Sequence, residues 1–278
     1  MCSATMTRDN TGVTPGANES RLIVSWQHPD VRAMEPVGML SFDGATYRFE
    51  YLERARTLGG FQPLLGFPEI GRLYDSDELF PLFAQRAMDP RRSDFERYVR
   101  DLALDAQSTP WEQIARSGGG REGDTLQLFP VPRYVDGSWH CYFLASGIRY
   151  MMSKSVQIEG EERGSYSPVQ LETLLSSLKP QEPLSIHNEA ENTWSTFALL
   201  LATSDGQPIG YVPHLLVEAL KTPVADGAVR VAVERINPLD AGWHMRLLVE
   251  MNADLESTFE FFGDASWPTA TATATARE

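Results

Sequence analysis

The stretch from Leu184 to Leu220, LSIHNEAENTWSTFALLLATSDGQPIGYVPHLLVEAL, constrains the fold of this chain more than any other. Leu184 and Ile186 alternate with polar residues, the pattern of a half-buried strand. Phe197 to Ala202 is a continuous apolar run, short enough for a central strand. Ser204-Asp205-Gly206 is turn chemistry, with Gly206 able to take a positive φ. Ile209 to Val212 returns as a second strand. Pro213 can then occupy the first turn of a helix, where its missing N–H costs nothing.

The rest of the chain repeats these signals with more helix in its first part. Leu22 to Trp26 and Val37 to Phe42 read as strands, and Asp43-Gly44 marks a hairpin into Tyr47 to Tyr51, where aromatic and charged residues alternate. Three helix starts follow: Asp75 to Glu78 ahead of Leu79, Phe80, Leu82 and Phe83; Ser93 to Glu96; and Thr109-Pro110-Trp111-Glu112. Leu126 to Val131 and Trp139 to Leu144 are strand-like, Ser167-Pro168-Val169-Gln170 opens another helix, and Val229 to Val233 and Met245 to Met251 are closing strands. Met1 to Ser20 is polar and should be disordered. The Ala-Thr repeat from about Ser266 is low complexity and should be loose. The expected organisation is a leader (1–20), a strand-and-helix domain (21–133), a β-rich domain (134–253) and an extension with a low-complexity tail (254–278).

Charge and residue usage exclude several classes of function. The formal net charge of -14 opposes nonspecific attraction to phosphate backbones, although a local basic site can persist in an acidic protein. Lys154, Lys179 and Lys221 are the only lysines, so Arg carries most of the positive charge. Cys2 and Cys141 make no disulfide framework, and Cys141, inside a strand-like run, should be an inert buried thiol. No apolar run suits a membrane span, and Met1 to Ser20 has no apolar core of a secretory signal, so a reducing cytoplasm is the expected location and no membrane partner is expected. Ser117 to Asp124 is Gly-rich but lacks the Lys-Ser/Thr end of a phosphate-binding loop. The five histidines are scattered without helical metal-site spacing. The expectation is a chain that is not an enzyme, with no cofactor, no metal and no catalytic residue.

Three segments carry a family resemblance: Gly147-Ile148-Arg149-Tyr150, then Asn192-Thr193-Trp194-Ser195-Thr196-Phe197-Ala198, then Gly210-Tyr211-Val212-Pro213. In this order, across about 134 to 250, they resemble the HIRAN domain, a small OB/SH3-like β-barrel. Its best-studied members bind the free end of single-stranded DNA. In that family the Gly-x-Arg-Tyr segment lies on an early strand. The Arg, the Tyr and an aromatic-acid pair from the Asn segment form the nucleotide pocket. The resemblance implies a site of Arg149, Tyr150, Asn192, Trp194 and Tyr211, with Ser195 standing where the family has its acid. On the residues alone a second reading stays open, in which Tyr150 and Trp194 are core or barrel-rim aromatics and Arg149 is a surface or ion-paired residue.

The first half carries another resemblance. VGMLSFDGATYRFEYL (37–52) and the spaced set Tyr74, Ser76, Leu79, Phe80 and Phe83 are similar to the N-terminal subdomain of HipA-type kinases, without the kinase itself. Together these imply an α+β, β-rich bacterial protein: a HIRAN-like small β-barrel plus a HipA-N-like strand-and-helix domain. Its expected ligand is single-stranded DNA or DNA ends, in repair or in stress and defence. The alternative is a regulatory, antitoxin-like protein whose partner is a HipA-type kinase; a DNA-processing enzyme is the other protein partner to consider.

Overall fold

Alternating burial builds the first sheet. In β1 (Ser20–Gln27), Leu22 and Val24 face one side and Ile23 the other, and all are buried. The structure, a computed structural model, describes residues 19–30, 32–120, 125–158, 160–189, 198–263 and 267–271. β2 (Met34–Phe42) pairs antiparallel with β1, and β3 (Tyr47–Tyr51) pairs with β2. The turn between β2 and β3 closes on Asp43, whose Oδ1 accepts the amides of Ala45 and Thr46 at 3.0 and 2.9 Å. Those amides, with the Arg48 guanidinium, hold the Asp43 carboxyl down at about 2. β4 (Tyr74–Ser76), the helices α1 (Pro81–Ala84), α2 (Phe95–Asp101) and α3 (Pro110–Ser117), and β5 (Leu126–Pro130) follow. The sheet order is β4-β3-β2-β1-β5.

Two helix starts differ from expectation. Asp75 to Glu78 makes β4 and a turn, with Ser76 Oγ accepting the Glu78 amide at 3.1 Å; α1 begins later, behind Phe80, which has no side-chain cap. At α2 no side chain caps the helix, because the Asp94 carboxylate is bidentate on Arg92 at 2.9 Å. The reciprocal capping boxes do form at Thr109/Glu112 and at Ser167/Gln170.

The second sheet takes β6 (Arg133–Val135), β7 (Ser138–Leu144), β10 (Pro183–Asn188), β11 (Leu199–Ala202), β12 (Pro208–Tyr211), β13 (Val229–Ile236) and β14 (Leu247–Ala253). Its order is β12-β11-β10-β13-β14-β7-β6, antiparallel throughout. β8 (Val156–Ile158) and β9 (Glu161–Arg163) form a separate small hairpin. The helices α4 (Pro168–Ser177) and α5 (His214–Ala225) complete the element set.

The expected barrel is corrected: the sheets are not closed. β12 curls round to the chain just beyond β7, but only one bridge joins them, with Ser146 and Tyr211 exchanging amide-to-carbonyl bonds of 2.9 and 2.8 Å. Pairing stops there because Gly147 takes φ 65° and turns the chain into a 3-10 helix over Ile148–Met152.

The two sheets share buried surface. Ile23, Met39 and Phe129 of the first sheet join a core with Phe143, Leu200, Leu247 and Val249 of the second, while Leu22, Val24, Leu40 and Phe49 pack into a separate aromatic-rich core. Asn237 adds a buried polar tie, donating to the Asp101 and Met245 carbonyls at 2.7 Å each. The chain after Trp267 is not loose as far as Thr271. Thr269 bridges Leu52, the Glu53 amide donates to Pro268 at 2.8 Å, and Ala270 is fully buried in the aromatic core.

Candidate nucleic-acid interface

Arg149 and Tyr150 lie on the 3-10 helix after Gly147, not on the strand that the resemblance implies. A 3-10 turn eclipses side chains three apart, so Ile148 and Met151 share one face, which is buried, while Arg149 and Tyr150 are exposed. Tyr150 is 60% exposed. Among the described residues the Arg149 guanidinium has no ion-pair or hydrogen-bond partner.

Tyr211 meets this turn through glycine. A Cβ on Gly147 would lie 2.8 Å from Cδ2 of Tyr211 and 3.3 Å from Cδ2 of Tyr150, so the two rings flank one bare backbone position. Gly210 permits the same close approach from the other side: its Cβ would stand 3.0 Å from the Ser146 carbonyl. The glycines of the first and third resemblance segments thus bring Tyr150 and Tyr211 together, and Arg149 precedes Tyr150 on the same exposed turn. Asn192 and Trp194 lie outside the described residues.

Behind the rings sits a polar group that sequence reasoning missed. Glu189 follows β10 and is 2% exposed. Its Oε2 accepts the Tyr211 hydroxyl at 2.8 Å and its Oε1 accepts Lys154 Nζ at 3.1 Å. Its amide donates to the Ala198 carbonyl at 2.9 Å. Burial, then the hydrogen bond and charge of Glu189, push the Tyr211 phenol well above its ordinary range, so Tyr211 stays protonated and donates. Glu189 carries a signal only in hindsight, as an acid closing the alternating strand from Leu184. Nothing in the sequence ties it to Lys154, 35 residues away.

The arrangement is an open platform. Two shallow clefts, of about 390 and 430 Å³, lie elsewhere, one between Trp26, Pro63, Leu82 and Leu126 and the other between Pro90, Phe95 and Ala106. Cys141 is buried against Pro130, and burial raises its thiol to about 12. Ser185 Oγ lies 2.9 Å from His187 Nε2 and 3.2 Å from each of the Ala202 and Thr203 carbonyls. Among the described residues no three His, Cys, Asp or Glu side chains stand close enough to hold a metal, and no helix is long and apolar enough to cross a membrane. The HipA-like residues serve the aromatic core: Phe80 and Phe83 pack on Phe67, and the Tyr74 hydroxyl accepts the Glu69 amide at 2.7 Å.

No family model and no curated protein matches the chain. The likeness of the first half to HipA-type kinases therefore rests on its motifs alone. Two solved structures are similar to this chain. A Lactobacillus plantarum protein is 13% identical with a TM-score of 0.29, over 41% of this chain and 96% of that one. The HIRAN domain of human HLTF is 14% identical with a TM-score of 0.27, over 42% of this chain and 74% of that one. The likeness to a HIRAN domain is weak and partial, and at such distance it says nothing about what the platform binds.

Proposed function

We propose that this chain is a non-catalytic nucleic-acid-binding protein that takes single-stranded DNA on the platform of Arg149, Tyr150 and Tyr211. The observation that carries this reading is the solvent-facing pair at Gly147: an Arg without a partner among the described residues beside a tyrosine ring 60% exposed. An exposed ring offers a face on which a base stacks, worth about 1–3 kcal/mol by truncation. The adjacent guanidinium offers a bidentate contact to phosphate. The motif resemblance to the HIRAN domain points the same way.

The site suits a strand contacted locally. A net charge of -14 repels a long phosphate backbone, so affinity rests on few contacts and on stacking. The Glu189 oxygens are engaged by Tyr211 and Lys154, so this acid does not replace the one whose place Ser195 takes. The reading is accordingly of single strands, not of a selected terminal hydroxyl. A role in repair or in stress and defence is the setting such a binder would fit.

Fluorescence anisotropy with a short labelled oligothymidylate at low salt tests the reading. The wild type binds, and Arg149→Ala weakens binding about tenfold through the lost charge-assisted bonds. No binding by the wild type, or equal binding by Arg149→Ala, overturns it.

A further inference from the structure

The platform holds two cations that differ in availability. Arg149 is exposed and without a partner among the described residues, whereas Lys154, five residues on, is 27% exposed in its side chain and donates at 3.1 Å to Glu189, whose side chain is 3% exposed. A carboxylate this deeply buried needs a compensating charge, and removing one partner of such a pair leaves the other uncompensated. Glu189 is itself fixed. The Asn188/Leu199 pairing and the Glu189-to-Ala198 bond hold its backbone, and the Tyr211 hydroxyl holds its other oxygen. The acid cannot follow Lys154 outward, and the lysine is drawn inward.

We propose that Glu189 is a positioning residue that withholds Lys154 from the ligand and so limits this platform to a single phosphate contact, through Arg149. The inference rests on the nucleic-acid reading and deepens it. It makes Glu189 a determinant of specificity, since one phosphate contact beside two rings favours a stacked single strand over a charged backbone that must be tracked. Neutralising Glu189 with the isosteric amide keeps an acceptor for Tyr211 but removes the charge that holds Lys154. The freed ammonium then becomes a second phosphate contact.

Two measurements test this. The first is the salt dependence of oligothymidylate binding, whose slope in log affinity against log salt steepens by about 0.7 for each phosphate neutralised on a single strand. Glu189→Gln steepens the slope by about 0.7 relative to wild type, Arg149→Ala flattens it by about 0.7, and Lys154→Ala leaves it unchanged. A flattened slope in Lys154→Ala, which keeps the acid in place, overturns the inference, as does an unchanged slope in a folded Glu189→Gln. The second needs no ligand. Because the chain has only three lysines, amine acylation read by mass spectrometry reports Lys154 against the exposed Lys179. Lys154 is protected in the wild type and reacts several-fold faster in Glu189→Gln. Equal labelling in both overturns the inference whatever the oligonucleotide does. A wild type that binds no oligonucleotide overturns the nucleic-acid reading, and the labelling contrast tells that failure apart from failure of the Lys154–Glu189 pairing.

Discussion

Against the first sheet, Phe49, Phe67, Phe80 and Phe83 close on one another with ring centroids 4.4 to 6.4 Å apart. Beside them the Tyr51 hydroxyl donates to the Phe67 carbonyl at 2.8 Å and accepts the Leu64 amide at 2.6 Å. Beyond Gly147, by contrast, Tyr150 is 60% exposed and follows the exposed Arg149 in the chain. Both regions are built on aromatic residues that the sequence motifs single out. What separates them is where the faces and polar tips go. A ring whose faces meet other rings and whose hydroxyl serves backbone groups is a fold element. An exposed ring without such partners, beside an available cation, can serve a ligand.

The sharpest way to break this contrast is to cut into each side. Phe83 is fully buried and touches three other rings of the cluster. Phe83→Ala removes that contact and leaves a cavity, costing about 3–5 kcal/mol. Chemical denaturation should show the loss as a lower midpoint, and a cost under about 1 kcal/mol would mean that the aromatic core is not what holds the first sheet. Tyr51→Phe is subtler. It keeps the ring but leaves the Phe67 carbonyl and the Leu64 amide without the hydroxyl they share, at a cost of about 1–3 kcal/mol. If Tyr51→Phe is neutral in the same assay, the hydroxyl is not fixing the 64–67 turn.

The contrast also marks what the sequence could and could not tell. Leu199–Ala202 and Pro208–Tyr211 were legible because an apolar run, a turn and a Gly-aromatic return are local signals. The caps at Thr109 and Ser167 were legible for the same reason. Ser93 misled because α2 starts one residue later, with Asp94 at its N-cap position, and Arg92 engages the Asp94 carboxylate. The open sheet was hidden in the backbone of Gly147, whose positive φ ends pairing at Ser146. Contacts that join distant segments were not legible at all. Lys154 and Glu189 meet across 35 residues, and the Ala270 carbonyl accepts from Arg56 at 3.2 Å across 214. The motif of Tyr74, Phe80 and Phe83 reads as kinship, and its ring contacts with Phe67 were not legible in the sequence.

The smallest expected change in stability is the most telling for function. Tyr150→Ala removes a ring that is 60% exposed and whose hydroxyl has no partner among the described residues, so stability should stay within about 0.5 kcal/mol of wild type. Affinity for a short oligothymidylate should nevertheless fall about tenfold, the order expected when one stacked base loses its platform. The two readouts together decide what Tyr150 is for. Lost binding with kept stability is the signature of a ligand-facing ring. Lost stability would place Tyr150 with Phe83 and Tyr51 as part of the fold, and unchanged binding would remove it from the site. Because Tyr150 and Tyr211 flank the same glycine, a bulkier residue at Gly147 should damage both properties at once, through the Tyr211 ring 2.8 Å from any added Cβ. That leaves Tyr150→Ala as the substitution able to separate the platform from the sheet that carries it.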